Sequence, residues 1–271
     1  MTESIVPTIA NSRMYNLSPK IRGLWDALFA WLGHESSVAM DIVAHASPAP
    51  LSDLWARPDM GAVFMCGYPF SQLKPEQRPL PLAAPVSTAD WGRGKPLYAS
   101  RVITARNSAL TAADLQSARW GWTVRDSQSG YHAPREFAAS LQQGNSAFET
   151  VGPLLNPTGV AEAIASGRAD VGAIDAYAYQ LMEMHEPQMI ADLRVIATTA
   201  PAPFPMLVAA RRQPAEIISA LRQALWSAHK HAKSRAILSS LGLSAFTEPD
   251  LASYENLPAR ARRTDEVLSP W

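Results

Sequence analysis

At 271 residues the chain has material for one large domain or two of ordinary size, and two are expected. Hydrophobic residues make up 47% of it and charged ones 18%, which excludes a disordered chain. The 24 Lys plus Arg balance 24 Asp plus Glu, so no overall field recruits nucleic acid or an anionic membrane, and any anion site must be local.

The first residues, MTESIVPTIANSR, show no basic segment followed by an apolar core, so no signal peptide is visible in them. Residues 4–10 predict a strand, followed by a polar loop at 11–16 that carries Met14 and Tyr15. Ser18 suits a helix N-cap and Pro19 the first helical position. Ile21, Leu24, Trp25, Leu28, Trp31 and Leu32 then recur at helical spacing until Gly33. Arg22 and Asp26 rule this stretch out as a membrane span. A strand at 38–43, a short helix at 51–56 and a strand at 60–65 complete an α/β pattern. The third strand empties into a loop at 66–70, where Gly67 permits unusual dihedrals, Pro69 opposes helix and Tyr68 is free to face a cleft. Cys66 is the only cysteine, which excludes an internal disulfide and multi-cysteine zinc or iron–sulfur sites.

Residues 73–85 are rich in proline yet keep recurring apolar positions, so they predict an irregular edge or an extended strand. Residues 91–94 predict a turn. The segments YASRVITAR (98–106) and FPMLVAAR (204–211) are both strand-like and both end in Ala-Arg. They are read as two hinge crossings between lobes: residues 1–103 plus 204–271 form lobe I, and 104–203 form lobe II as an insertion. Within lobe II the pattern predicts a helix at 111–117, strands at 119–124 and 147–151, a helix capped by Asn156 and Pro157 and ended by Gly167, a strand at 170–174 and a helix at 177–184. Helices at 216–229 and 234–241 follow the return, and the tail 248–271 is expected to wrap the surface.

Between Val124 and the helix that buries Phe137, Ala138 and Leu141 lies Asp126-Ser127-Gln128-Ser129-Gly130. Small hydroxyl residues at a helix start expose unpaired N–H groups, and the helix dipole adds positive potential, so this loop is an anion seat; a plain helix cap is the alternative. In an open α/β sheet ligands lie beyond the carboxyl ends of strands, which selects the loops at 14–15, 66–70, 127–131 and 175–177. Asp175 also fits a plain N-cap. The six histidines show no metal spacing, no cofactor motif is present, and neither is a nucleophile elbow, an H-E-x-x-H or a P-loop, so catalysis has no evident agent.

GRADVGAIDAYAYQLM (167–182), LRVIATTAPAPFPMLVAAR (193–211), DSQSGY and MCGYPF together resemble the phosphate/phosphite/phosphonate ABC-transporter substrate-binding proteins, which have the two-lobed type 2 periplasmic-binding-protein fold, each lobe a mixed sheet flanked by helices. The resemblance implies capture of a small oxyanion or organophosphonate in an interlobe cleft, delivery to an ABC permease, a periplasmic location, and a monomer without cofactor. By it, Ser127, Gln128, Ser129, Gly130 and Tyr131 form the loop that donates hydrogen bonds to the anion, Asp175 faces a ligand amine, and Tyr15 and Tyr68 contribute from the other lobe. Relatives often place a histidine before the helix at 157–167, where this chain reads VGPLLN (151–156). Two alternatives stand beside this: a dehydratase-like cofactor-biosynthesis enzyme on the same fold, and a cytosolic metabolite sensor.

Overall fold

In the computed structural model, which describes residues 7–141 and 148–271, β1 (Thr8–Asn11) leads through a 3-10 turn at Arg13–Tyr15 into α1 (Pro19–Ser36). The Ser18 hydroxyl accepts the Ile21 N–H at 3.2 Å, and Pro19 sits where no N–H is needed. The helix runs past Gly33 and ends at Ser37, whose φ of 55° is left-handed. β2 (Met40–Ile42), α2 (Leu51–Trp55) and β3 (Met60–Met65) follow. The expected loop after β3 is instead a short helix, α3 (Gly67–Gln72). Pro69 falls within its first turn, where N–H groups have no intrahelical acceptor, so the ring costs no hydrogen bond.

The proline-rich passage holds β4 (Leu80–Ser87), which is an interior strand and not an edge. The register slip in β12 falls at Pro81 and accommodates its missing donor, while Pro85 pairs in register with Phe246, one residue from the slip in β13. Next come β5 (Leu97–Tyr98), β6 (Ser100–Ala105) and β7 (Trp120–Gly121). The expected helix at 111–117 is only a 3-10 turn, Ala112–Asp114, closed by a Thr111–Asp114 capping box. A π-type turn, Gln128–His132, opens α4 (Ala133–Leu141). Then follow β8 (Thr150–Val151), α5 (Pro157–Ala165), β9 (Val171–Asp175), α6 (Ala176–His185), β10 (Leu193–Thr198), β11 (Ala202–Pro203) and β12 (Met206–Ala209). The chain closes with α7 (Ala215–Ser227), α8 (Ala232–Ser240), β13 (Leu243–Thr247), α9 (Leu251–Glu255) and α10 (Leu257–Asp265). Residues 4–6 and 147, which begin two of the expected strands, lie outside the described residues.

Contacts divide the chain into two units, Met1–Leu97 with Phe204–Asp250 and Tyr98–Pro203 with Leu251–Trp271. The first unit holds a mixed sheet in the order β13-β4-β12-β3-β1-β2, with β1, β2 and β3 parallel. The second holds a mixed sheet in the order β10-β6-β9-β7-β8, with β7, β8 and β9 parallel and β6 and β10 antiparallel to their neighbours. Helices flank each sheet, as expected for the fold class.

The C-terminus departs from expectation. The tail does not wrap the surface of the first unit; it crosses to the second after Asp250, a third passage of the chain between units. Leu268 and Trp271 are 4% and 7% exposed in the same core as Trp120, Trp122, Tyr131 and Phe148. The fully buried Arg135 explains the attachment: it donates to Asp265 and to the Leu268 carbonyl, both at 2.7 Å. Arg260 adds a second tie, to Glu136 at 2.6 Å.

Candidate functional site

The carboxyl ends of β7 and β9 in the second unit carry the serine loop and Asp175. Past β7 the chain stays paired for two residues, with the Trp122 N–H on the Val151 carbonyl at 3.0 Å and the Thr123 N–H on the Gly130 carbonyl at 3.1 Å. The loop therefore folds back on its own strand. Ser127 caps the turn: its hydroxyl oxygen accepts the Gly130 N–H at 3.0 Å, and its carbonyl accepts the His132 N–H at 3.1 Å, a five-residue closure that makes this first turn π-type.

This closure sets which donors remain. Among the described residues, the Ser129 N–H and hydroxyl have no acceptor, and the Ser127 hydroxyl hydrogen has none. Both serines are half-buried. Gly130 is required by a close approach: a Cβ there would lie 2.1 Å from Thr123 Oγ1. Exposed Arg125 holds its guanidinium 5.8 Å over the Trp122 ring and 6.0 Å over the Tyr131 ring, adding a positive charge beside the loop. An anion here would meet hydroxyls, a main-chain N–H, the positive end of a helix and that cation.

Asp175 ends β9 and is 5% exposed. Its Oδ1 accepts the Tyr177 and Ala178 N–H groups at 2.8 and 3.1 Å, so it caps α6. Burial, with the Asp175 charge adding to it, pushes the Tyr177 hydroxyl well above the usual tyrosine range, which keeps that hydroxyl protonated. One buried residue joins Asp175 to the serine loop. Ser100, across the β6–β9 ladder from Asp175, donates its hydroxyl to the Ser129 carbonyl at 2.8 Å. Sequence reasoning passed over Ser100, which looks like any small residue at a strand start; its partner lies 29 residues away.

The remaining expected site residues are placed otherwise. The Tyr131 ring is 3% exposed in the core of the second unit, and its hydroxyl accepts the Trp271 N–H at 3.1 Å. Gln128 is 2% exposed. His132, which follows Tyr131, is buried; burial first, and then the Arg135 charge, lower its pKa to about 4. In the first unit, Tyr15 follows β1 and is 1% exposed, its ring stacked on Trp25 at 6.1 Å and edge-on to Phe64 at 5.1 Å. Tyr68 follows β3 and is half-buried in α3, its carbonyl accepting the Ser71 hydroxyl at 2.7 Å. Among the described residues, no group of three or more His, Cys, Asp or Glu is placed to hold a metal ion. No helix among them is long and apolar enough to cross a membrane.

The profile of the ABC transporter, phosphonate, periplasmic substrate-binding protein family matches residues 15–254. The chain belongs to this family. The match spans both units and includes the serine loop, Asp175, Tyr15 and Tyr68. Among solved structures, the chain is similar to a binding-protein component of an ABC phosphonate transporter from Pseudomonas aeruginosa, with 18% identity, TM-score 0.77, and coverage of 96% of this chain and 88% of that one. It is also similar to a protein from Prochlorococcus marinus in complex with methylphosphonate, with 14% identity, TM-score 0.76, and coverage of 97% and 99%. A third, from Xanthomonas citri and bound to chloride, has 17% identity, TM-score 0.67, and coverage of 97% and 99%. At these identities the structures establish a shared fold. No curated protein matches the chain in sequence.

Proposed function

We propose that the protein is the substrate-binding component of an ABC importer, works in the periplasm, and takes a small phosphonate or related oxyanion at the serine loop. The observation that carries this reading is Ser129: its N–H and hydroxyl are both without acceptors among the described residues, at the carboxyl edge of β7 and the start of a helix. Anion oxygens accept from these groups and from the Ser127 hydroxyl. A tetrahedral head group presents three oxygens, enough to engage all of them. Hydrogen bonds to a charged partner are worth about 1.5–3 kcal/mol each, so a few suffice for micromolar capture. Asp175 supplies the counter-charge for an amine on the ligand. The bound anion is then handed to the permease.

A thermal-shift panel tests the proposal. Phosphate, phosphite, methylphosphonate, 2-aminoethylphosphonate, sulfate and small carboxylates are each added to the folded protein, and selective binding raises the melting temperature by mass action. A shift for one or more phosphorus oxyanions is expected. A response to an uncharged compound, with none to any oxyanion, would contradict the proposal.

A further inference from the structure

We infer that Ser100 is a positioning residue for the anion seat and acts through Ser129; this rests on the function proposed above. The argument begins with one peptide plane. The carbonyl of Ser129 and the N–H of Gly130 belong to the same trans peptide and point in opposite directions. Ser100 Oγ donates to the carbonyl at 2.8 Å, and Ser127 Oγ accepts from the N–H at 3.0 Å. The plane is thus held at both edges. This fixes the dihedral that follows the Ser129 Cα, and with it the direction in which the Ser129 N–H and hydroxyl emerge.

Ser100 is itself held on every side. It is completely buried, its N–H donates to Thr199 Oγ1 at 2.9 Å, and its carbonyl accepts the Thr199 N–H at 3.0 Å. It lies opposite Asp175 in the β6–β9 ladder, and the Ala99 carbonyl beside it accepts the Ala176 N–H at 2.9 Å. One residue therefore sets the height of the serine loop by its side chain and pairs by its main chain with the strand that ends in Asp175. A hydroxyl matters here because an aliphatic side chain would take away the donor that the half-buried Ser129 carbonyl has from the β6 strand. Ser100 is too buried to touch a ligand, so its effect must pass through Ser129.

The test combines Ser100→Ala, Ser129→Ala and the double variant, with methylphosphonate as probe in calorimetric titration and amide hydrogen exchange on the ligand-free protein. Ser100→Ala is expected to weaken binding roughly five- to tenfold, the worth of one neutral hydrogen bond, and to speed exchange at the Gly130 N–H, which is bonded to Ser127 Oγ, by a similar factor. In the Ser129→Ala background the further loss should be smaller than in the parent, because one of the two Ser129 donors that Ser100 orients, the hydroxyl, is already gone while the N–H remains. A Ser100→Ala variant that melts earlier but leaves both affinity and exchange within twofold of the parent would overturn the inference, and so would losses that simply multiply. If Ser100→Ala does not fold, Ser100→Cys, close in size and a weak donor, carries the same comparison. A parent protein that binds no phosphorus oxyanion would remove the functional proposal, and the exchange rates alone would then decide the positioning role.

Discussion

Adding one methyl group at Gly130 should disable the serine loop without touching its hydroxyls. A Cβ on Gly130 would lie 2.1, 2.7 and 2.9 Å from Oγ1, Cγ2 and Cβ of Thr123, and Thr123 is itself only 5% exposed, so it has little room to yield. Overpacking of this kind costs about 1–3 kcal/mol. Because the Gly130 N–H bonds to Ser127 Oγ and its carbonyl to the Thr123 N–H, relief of the clash must pull at least one of these apart. Gly130→Ala is therefore expected to lower stability by about 1–3 kcal/mol in urea unfolding and to weaken methylphosphonate binding roughly tenfold, the worth of about one charged hydrogen bond. Trp122, whose ring centroid is 5.3 Å from that of Tyr131, provides a local fluorescence signal. Thr123→Ala removes the two nearest atoms and a buried hydroxyl without an acceptor among the described residues, so the double variant should recover part of both losses. A Gly130→Ala protein within about 0.5 kcal/mol of the parent and with unchanged affinity would refute the reasoning, since that is the scatter of a neutral surface change.

Leu155 has a left-handed φ of 69° and is 48% exposed, so Leu155→Gly should relieve strain and, after the added chain entropy of glycine, raise stability by a few tenths to about 1 kcal/mol in urea unfolding; a loss would show that the leucine side chain holds the loop. Asp175→Asn keeps the cap on α6, so stability should hold while 2-aminoethylphosphonate binding weakens roughly tenfold and methylphosphonate binding does not; equal loss for both ligands would assign Asp175 to capping alone. His132 takes up a proton near pH 4 when folded but near its ordinary 6.5 when unfolded. Between those values the unfolded state binds more protons, so stability should fall as pH drops from about 6.5 to about 4, by up to about 3 kcal/mol. His132→Gln should flatten that limb of the urea midpoint against pH, and an unchanged slope would place the acid sensitivity elsewhere.

The parts of the fold that depend on local rules were legible in the sequence. α1 declared itself through Ser18, Pro19 and its three- and four-residue apolar repeat, and α5 through Asn156 and Pro157. What depends on distant partners was hidden. Pro81 and Pro85 argue against an interior strand, yet β4 is one, flanked by β12, which slips in register at Pro81, and β13, which pairs Phe246 with Pro85. The tail reads as polar surface because Arg260, Arg262 and Arg263 dominate its composition, while its attachment rests on Arg135, more than a hundred residues earlier. The anion seat divides in the same way. The hydroxyls of Ser127 and Ser129 and the glycine at 130 were readable as a helix start, whereas Ser100 and the inward turn of the Tyr131 ring were not, since both are set by contacts across the sheet and core. Loop position was legible where ring position was not: the Tyr131 and Tyr15 rings both pack into cores.

The central claim is that the free donors of Ser129 hold a phosphorus oxyanion. Calorimetric titration of methylphosphonate into the parent and into Ser129→Ala tests it most directly. Loss of one charged hydrogen bond should weaken binding roughly ten- to a hundredfold, with the melting temperature of the ligand-free variant unchanged because that hydroxyl has no partner among the described residues. Equal affinity in the two proteins would contradict the claim.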